Sequence, residues 1–207
     1  MIHRSEFFSR IGTGCAVIAV AIFTSTPILA QQKPMVIELN AATATTAKPQ
    51  TTISKSGSYI LNKNITNTSK NGQDSVAVTA SNVTIDLQGF VISATGSNTG
   101  AGINATGQSN VVIRNGIITG FTGPAMILGN NSNISAITAT ENGSGITCVS
   151  GCLVSNSIIQ GNTGPGLTFS DTTSGYVGNI LQDNNGGGAQ VSGGTSLKQN
   201  VCDGAAC

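Results

Sequence analysis

Three features of the sequence predict its fold class. A Gly-x-x-apolar step recurs at Gly100 to Ile103, Gly123 to Met126, Gly143 to Ile146, Gly164 to Leu167 and Gly186 to Ala189, with apolar ends 23, 20, 21 and 22 residues apart. Two further aliphatic columns keep the same period: Ile85, Ile113, Ile134, Val154, Val177 and Leu197, then Ile117, Ile137, Ile158, Leu181 and Val201. Within each short run the side chains alternate, as in Leu167-Thr168-Phe169 and Val154-Ser155-Asn156, which sends one set inward and the next outward. Three columns per period mean three short strands per winding. The expected fold is therefore all-β, a single-stranded right-handed parallel β-helix (a solenoid) of about six to seven short coils.

Taken in order, the chain opens with Arg4 and Arg10, an apolar run from Cys15 to Phe23, and Ser25, Thr26 and Pro27 ahead of Ala30. This is the layout of a cleavable export signal over residues 1–30, with cleavage expected after Ala30. The apolar run is about half the ~20 residues that a membrane-spanning helix needs, so no membrane span is expected in the mature chain. Cys15 stands at the start of the run instead of following it, which argues against a lipid anchor. The bacterial character of the signal implies a secreted or periplasmic product.

Residues 31–50, with Ala41-Ala-Thr-Ala-Thr-Thr-Ala47, read as a flexible lead-in. The β-helix domain then runs over residues 51–207 and closes in a Cys loop, Cys202-Asp-Gly-Ala-Ala-Cys207. That loop is expected to shield the last coil, because an open strand edge invites pairing with another chain and hence self-association. Four cysteines remain after processing: Cys148, Cys152, Cys202 and Cys207. An exported protein would oxidise them. Of the three possible pairings, the local ones are favoured, Cys148 with Cys152 and Cys202 with Cys207.

Composition narrows the function classes. Only 8% of residues are charged, and the single histidine, His3, leaves with the signal. What remains is Lys33, Lys48, Lys55, Lys63, Lys70, Lys198 and Arg114 against Glu38, Asp74, Asp86, Glu141, Asp171, Asp183 and Asp203. No basic patch for nucleic acid stands out. Abundant Gly, Asn, Ser and Thr would suggest disorder, but the regular return of Ile, Val and Leu argues for an ordered stack. Runs such as Gly186-Gly187-Gly188 and Asn130-Asn131 suit tight corners and would destabilise a helical repeat. Asn115, Asn156 and Asn179 fall near one corner and are expected to form an inner amide ladder that Gln199 continues.

Ser81-Asn-Val-Thr-Ile-Asp-Leu-Gln-Gly-Phe-Val-Ile92 and Ser109-Asn-Val-Val-Ile-Arg-Asn-Gly-Ile-Ile-Thr-Gly-Phe121 resemble the first coils of the secreted parallel β-helix repeat family, within the pectate-lyase-like superfamily. Gly57-Ser-Tyr-Ile-Leu-Asn-Lys-Asn-Ile-Thr66 is similar to the opening strand of those proteins. The resemblance covers roughly residues 51–201 and implies the fold; no specific enzyme family is matched, because this scaffold carries lyases, hydrolases, epimerases and adhesins alike.

For chemistry, the resemblance implies that a lyase would show clustered acids beside basic residues. One pair fits in part. Anchoring coils at Asn82 and Asn110 sets Asp86 beside Arg114 on the outer face, whereas aligning Gln88-Gly89 with Asn115-Gly116 separates them by one position. No second carboxylate joins them to hold calcium, which takes six to eight oxygens, and no metal or cofactor is expected. Glu141, Asp183 and Asp203 fall near one turn column with Gly161 between, an arrangement more typical of solvated turn acids than of a hydrolase pair. Cys148-x-x-x-Cys152 lacks zinc spacing, and Gly161-Asn-Thr-Gly-Pro-Gly166 lacks the helix and lysine of a phosphate loop. The remaining candidate surface is an outward column of Asn104, Ile127, Thr147, Thr168 and Gln190, whose amides and hydroxyls suit sugar hydroxyls. With no Trp, only Tyr59 and Tyr176 could offer a surface stacking ring. The sequence therefore favours a non-catalytic surface-interaction or glycan-binding protein, with polysaccharide or another cell-surface component as partner. A minimal or decayed lyase acting on polyuronates is the alternative, and a structural subunit assembling through its coil ends a third reading.

Overall fold

The computed structural model describes residues 35–37, 49–69 and 72–207, and the expected export signal lies outside them. Parallel strands wind into a right-handed solenoid of about seven turns with essentially no helix. Each turn lays one strand on each of three faces. The first face stacks Thr51–Ile53, Val76–Val78, Ile103–Ala105, Pro124–Leu128, Ser144–Cys148, Leu167–Phe169 and Val191–Ser192. On the second lie Gly57–Leu61, Val83–Asp86, the front of Val111–Thr119, the front of Asn133–Thr140, Leu153–Ser155, Gly175–Val177 and Thr195–Ser196. The third takes Ile65–Asn67, Val91–Ala94, the rear halves of the same two long strands, Ile158–Gln160, Ile180–Gln182 and Val201–Cys202.

Inside, aliphatic files run along the axis. On the first face Ile103, Met126, Ile146 and Leu167 stand in register as expected, but Val191, not Ala189, ends the file. A short 3-10 turn, Asn185–Gly187, lengthens that coil and shifts the frame. On the second face Ile85, Ile113, Ile134 and Val154 hold, and Tyr176 and Ser196 then occupy the positions expected for Val177 and Leu197. Leu197 is 50% exposed. The third face corrects the expectation most. Its inward file is Ile92, Ile118, Ala139, Ile159, Leu181 and Cys202, while Ile117, Ile158 and Val201 point outward. Both faces of these strands are aliphatic, so alternation carries no signal there. Burying each large aliphatic side chain contributes about 1.5–3 kcal/mol, and 31 of the described residues form one continuous core.

Corners repeat as faithfully as strands. Each turns on a residue in the left-handed region, in three columns: Asn82, Asn110, Asn131 and Gly151; Asn115, Ala136, Asn156 and Gly178; Gly120, Glu141, Gly161, Asp183 and Asp203. The residue after each of these is buried, except Gly204 after Asp203. In the second and third columns the polar ones build axial ladders that satisfy corner amides. Asn142 donates its backbone N–H to Asn162 Oδ1 at 2.9 Å, and Asn162 donates likewise to Asn184 Oδ1 at 3.1 Å. Gln190 Oε1 ends this ladder by accepting from the Asn184 backbone at 3.2 Å. A second ladder runs from Ser157 to Asn179 to Asn200. Asn179 thus sits inside as expected, whereas Asn115 and Asn156 are exposed corner residues and Asn200, not Gln199, continues the ladder.

At the N-terminal end, within the segment expected as a flexible lead-in, Met35–Ile37 forms a strand parallel to Gly57–Leu61, with Met35 opposite Tyr59. At the other end Val201–Cys202 pairs antiparallel with Ala205–Ala206, and the Cys202–Cys207 disulfide ties the loop. The Cys148–Cys152 disulfide also forms, buried at a corner between the first and second faces.

Candidate functional site

Asp86 and Arg114 occupy the same outward position on adjacent coils, so the register anchored at Asn82 and Asn110 is the one adopted. Arg114 Nε donates to Asp86 Oδ2 at 2.9 Å. The carboxylate also accepts from the Gln88 backbone N–H at 3.0 Å and from Asn115 Nδ2 at 3.2 and 3.3 Å. Partial burial alone would raise its pKa. The hydrogen bonds from Gln88, Asn115 and Arg114, together with the guanidinium charge, outweigh that and hold it below the ordinary 3.8. A carboxylate so stabilised as the anion is a weak proton acceptor. Ile60 precedes and Ser135 follows the pair in its file, and no group of three or more His, Cys, Asp or Glu among the described residues is placed to hold a metal.

The outward column of the first face places Ala77, Asn104, Ile127, Thr147, Thr168 and Ser192 in register. Four of the five residues expected there are present. Gln190 is not among them: it is 5% exposed, and its amide donates to Asn184 O, Gly188 O and Asp203 Oδ2. The same turn that displaced Ala189 carries Gln190 inside, and Ser192 takes the outward place. Asn104 is itself anchored, donating to Asp74 Oδ2 at 2.9 Å and accepting from Thr106 Oγ1 at 2.7 Å. Thr147 and Thr168 are half-buried above it.

Most acids serve the corners. Asp203 accepts from the Asp183 backbone at 2.8 Å and from Gln190. Asp171 accepts from Ser150 Oγ at 2.6 Å and Thr173 Oγ1 at 2.7 Å, bonds that pull its pKa down. Neither tyrosine offers an open ring: Tyr59 and Tyr176 are 6% and 7% exposed, and Tyr176 stacks on Phe169 with centroids 6.0 Å apart. Sequence reasoning missed the outward aliphatic file of the third face, where Ile158, Ile180 and Val201 are 40–44% exposed on successive coils. Paired aliphatics at 158–159 and 180–181 were the available signal.

Comparison with protein families matches a right-handed β-helix region over residues 51–202. The chain belongs to the right-handed β-helix family. No curated protein and no solved structure gives a significant match. Within the family the match covers every complete coil described above, from Thr51 to Cys202, and it carries no particular activity.

Proposed function

We propose that this β-helix protein is exported and acts as a non-catalytic surface-interaction module that binds glycans. The observation that carries the reading is the closed state of the one acid–base candidate: every oxygen of the Asp86 carboxylate is engaged by Arg114, Asn115 or Gln88, and its proton affinity is lowered. Against that stands an open first face. Thr147, Thr168 and Ser192 present three hydroxyls at the ~4.8 Å step of a parallel sheet, with the Asn104 amide two steps before them across Ile127, a spacing that lets successive groups reach hydroxyls of an extended chain. Export is supported by the basic-apolar-small pattern of residues 1–30 and by the two disulfides, which persist in oxidising compartments. Among the described residues no helix is long and apolar enough to cross a membrane.

A glycan array probed with the oxidised mature protein tests this directly. Retention on at least one glycan class is expected, and retention on none refutes it. The adopted register favours one second reading, a decayed polyuronate lyase centred on Asp86 and Arg114. Formation of unsaturated uronate, followed by absorbance with and without calcium, decides between the two. The glycan-binding reading expects no absorbance change from the wild-type chain, and activity abolished by Arg114→Ala would establish the lyase instead.

A further inference from the structure

The corner between the third and first faces opens, around Glu141, into a cleft of about 420 Å³. Phe121, Asn142 and Gly143 line it, with Thr122, Glu141 and Thr163 exposed. That volume lies within the range of small-molecule pockets.

Three independent observations single it out. First, Glu141 holds a left-handed backbone, φ +57°, in a column whose adjacent members are Gly120 and Gly161. Asp183 and Asp203 hold the same conformation further along the column, but only Glu141 stands between two glycines, which leave its side chain unscreened. Second, its carboxylate has no partner among the described residues. The Glu141 backbone bonds Gln160 and Gly120, but the side chain makes no hydrogen bond, and the ion pair of the described structure is Arg114 with Asp86. Asp74, Asp86, Asp171 and Asp203 accept from protein donors, and Asp183, whose carboxylate is likewise unbonded in the same corner column, does not line the cleft. Third, Thr122 and Thr163 anchor through backbone N–H donation to Asn98 O and Asn142 O, both at 2.9 Å, which leaves their hydroxyls unused by the protein.

The floor is fixed while these groups stay available. Asn142 donates to Ile118 O, Thr140 O and Asn162 Oδ1 and accepts from the Phe121 N–H, so it cannot turn toward a ligand. A carboxylate acceptor flanked by two hydroxyls, with no cation among the described residues that line the cleft, suits a hydroxyl-rich uncharged ligand and repels a carboxylate-bearing one.

We propose that this cleft is a subsite for one neutral hexose residue of a glycan, with Glu141 accepting from two adjacent ring hydroxyls and Thr122 and Thr163 bonding the ring edge. The proposal rests on the glycan-binding reading above and adds to it a subsite beyond the first-face column, with a charge preference. The test is calorimetric titration of the oxidised mature protein with cellotetraose, mannotetraose and tetragalacturonate, comparing wild type with Glu141→Gln and Glu141→Gly. Binding of a neutral tetrasaccharide is expected to weaken about tenfold or more in both variants, the loss of charged hydrogen bonds. Glu141→Gly, which relaxes the corner, is expected to keep or raise the melting temperature. Neutral-sugar binding unchanged in both variants overturns the cleft and leaves glycan binding elsewhere on the coil intact. Preference for tetragalacturonate overturns it as well. Binding of no probe also overturns it, and the array then decides the wider reading alone.

Discussion

Replacing Asn162 with alanine removes the middle rung of the longer polar ladder, and the structure sets the size of the effect. Asn162 is 1% exposed. Its Oδ1 accepts the Asn142 backbone N–H at 2.9 Å and Asn142 Nδ2 at 3.1 Å, and its Nδ2 donates to Ala139 O at 3.1 Å and Asn184 Oδ1 at 2.8 Å. Two neighbours have fallbacks: Asn142 Nδ2 keeps Ile118 O and Thr140 O, and Asn184 Oδ1 keeps the backbone N–H of residue 162. The Asn142 backbone N–H has none. One orphaned buried donor costs about 1–3 kcal/mol, and the lost side-chain bonds add to it, for a total of about 2–4 kcal/mol. At about 2–4 °C per kcal/mol for a chain of this size, the melting temperature should fall by roughly 5–15 °C in circular dichroism melts. A shift smaller than about 2 °C would refute the ladder as a stabilising element. Asn162→Asp sharpens the test. Its carboxylate would face Ala139 O and Asn184 Oδ1, both acceptors, so its native pKa is raised and the folded state holds the proton more tightly. Stability of this variant should therefore rise as pH falls from 7 toward 4, opposite in sign to the wild type's acid response.

Ala136 is the one alanine among the left-handed corner residues, φ +52°, between Asn115 and Asn156 in its column. Ala136→Asn should stabilise the chain by about 0.5–1 kcal/mol, read as a higher denaturant midpoint at unchanged slope. Asp86 has a native pKa below its ordinary 3.8, so its contribution is present above that value and lost as pH falls through the lowered one. Asp86→Asn should cost under about 1 kcal/mol at pH 7, since Arg114 is half exposed, and the difference from wild type should shrink in acid melts as pH falls through the lowered value.

The winding was legible because a parallel stack repeats its inward contacts once per turn, and Ile103, Met126, Ile146 and Leu167 are large enough to mark that repeat. Legibility failed where the repeat changed length or lost contrast. The extra turn at Asn185–Gly187 moved Gln190 from the expected outer column into the ladder, and no local pattern distinguishes an amide that faces solvent from one that ends a buried chain. On the third face, Ile158-Ile159 and Ile180-Leu181 offer two equally apolar choices, and only the corner residue that precedes each strand decides between them. The Asp86–Arg114 adjacency was readable because Ser81-Asn82 and Ser109-Asn110 fix the register. The cleft at Glu141 was not, because it depends on which corner side chains leave space, a property of three coils together.

The account depends on which side of each strand faces the interior, and thiol accessibility measures this directly. Ile158→Cys and Ile159→Cys, placed singly in the oxidised chain, put a thiol at adjacent positions that are 42% and 0% exposed. The thiol at 158 should react with a soluble maleimide at the rate of a free cysteine without denaturant, and the thiol at 159 only once the protein unfolds. Equal rates, or protection at 158 with reaction at 159, would contradict the register on which every site described above depends.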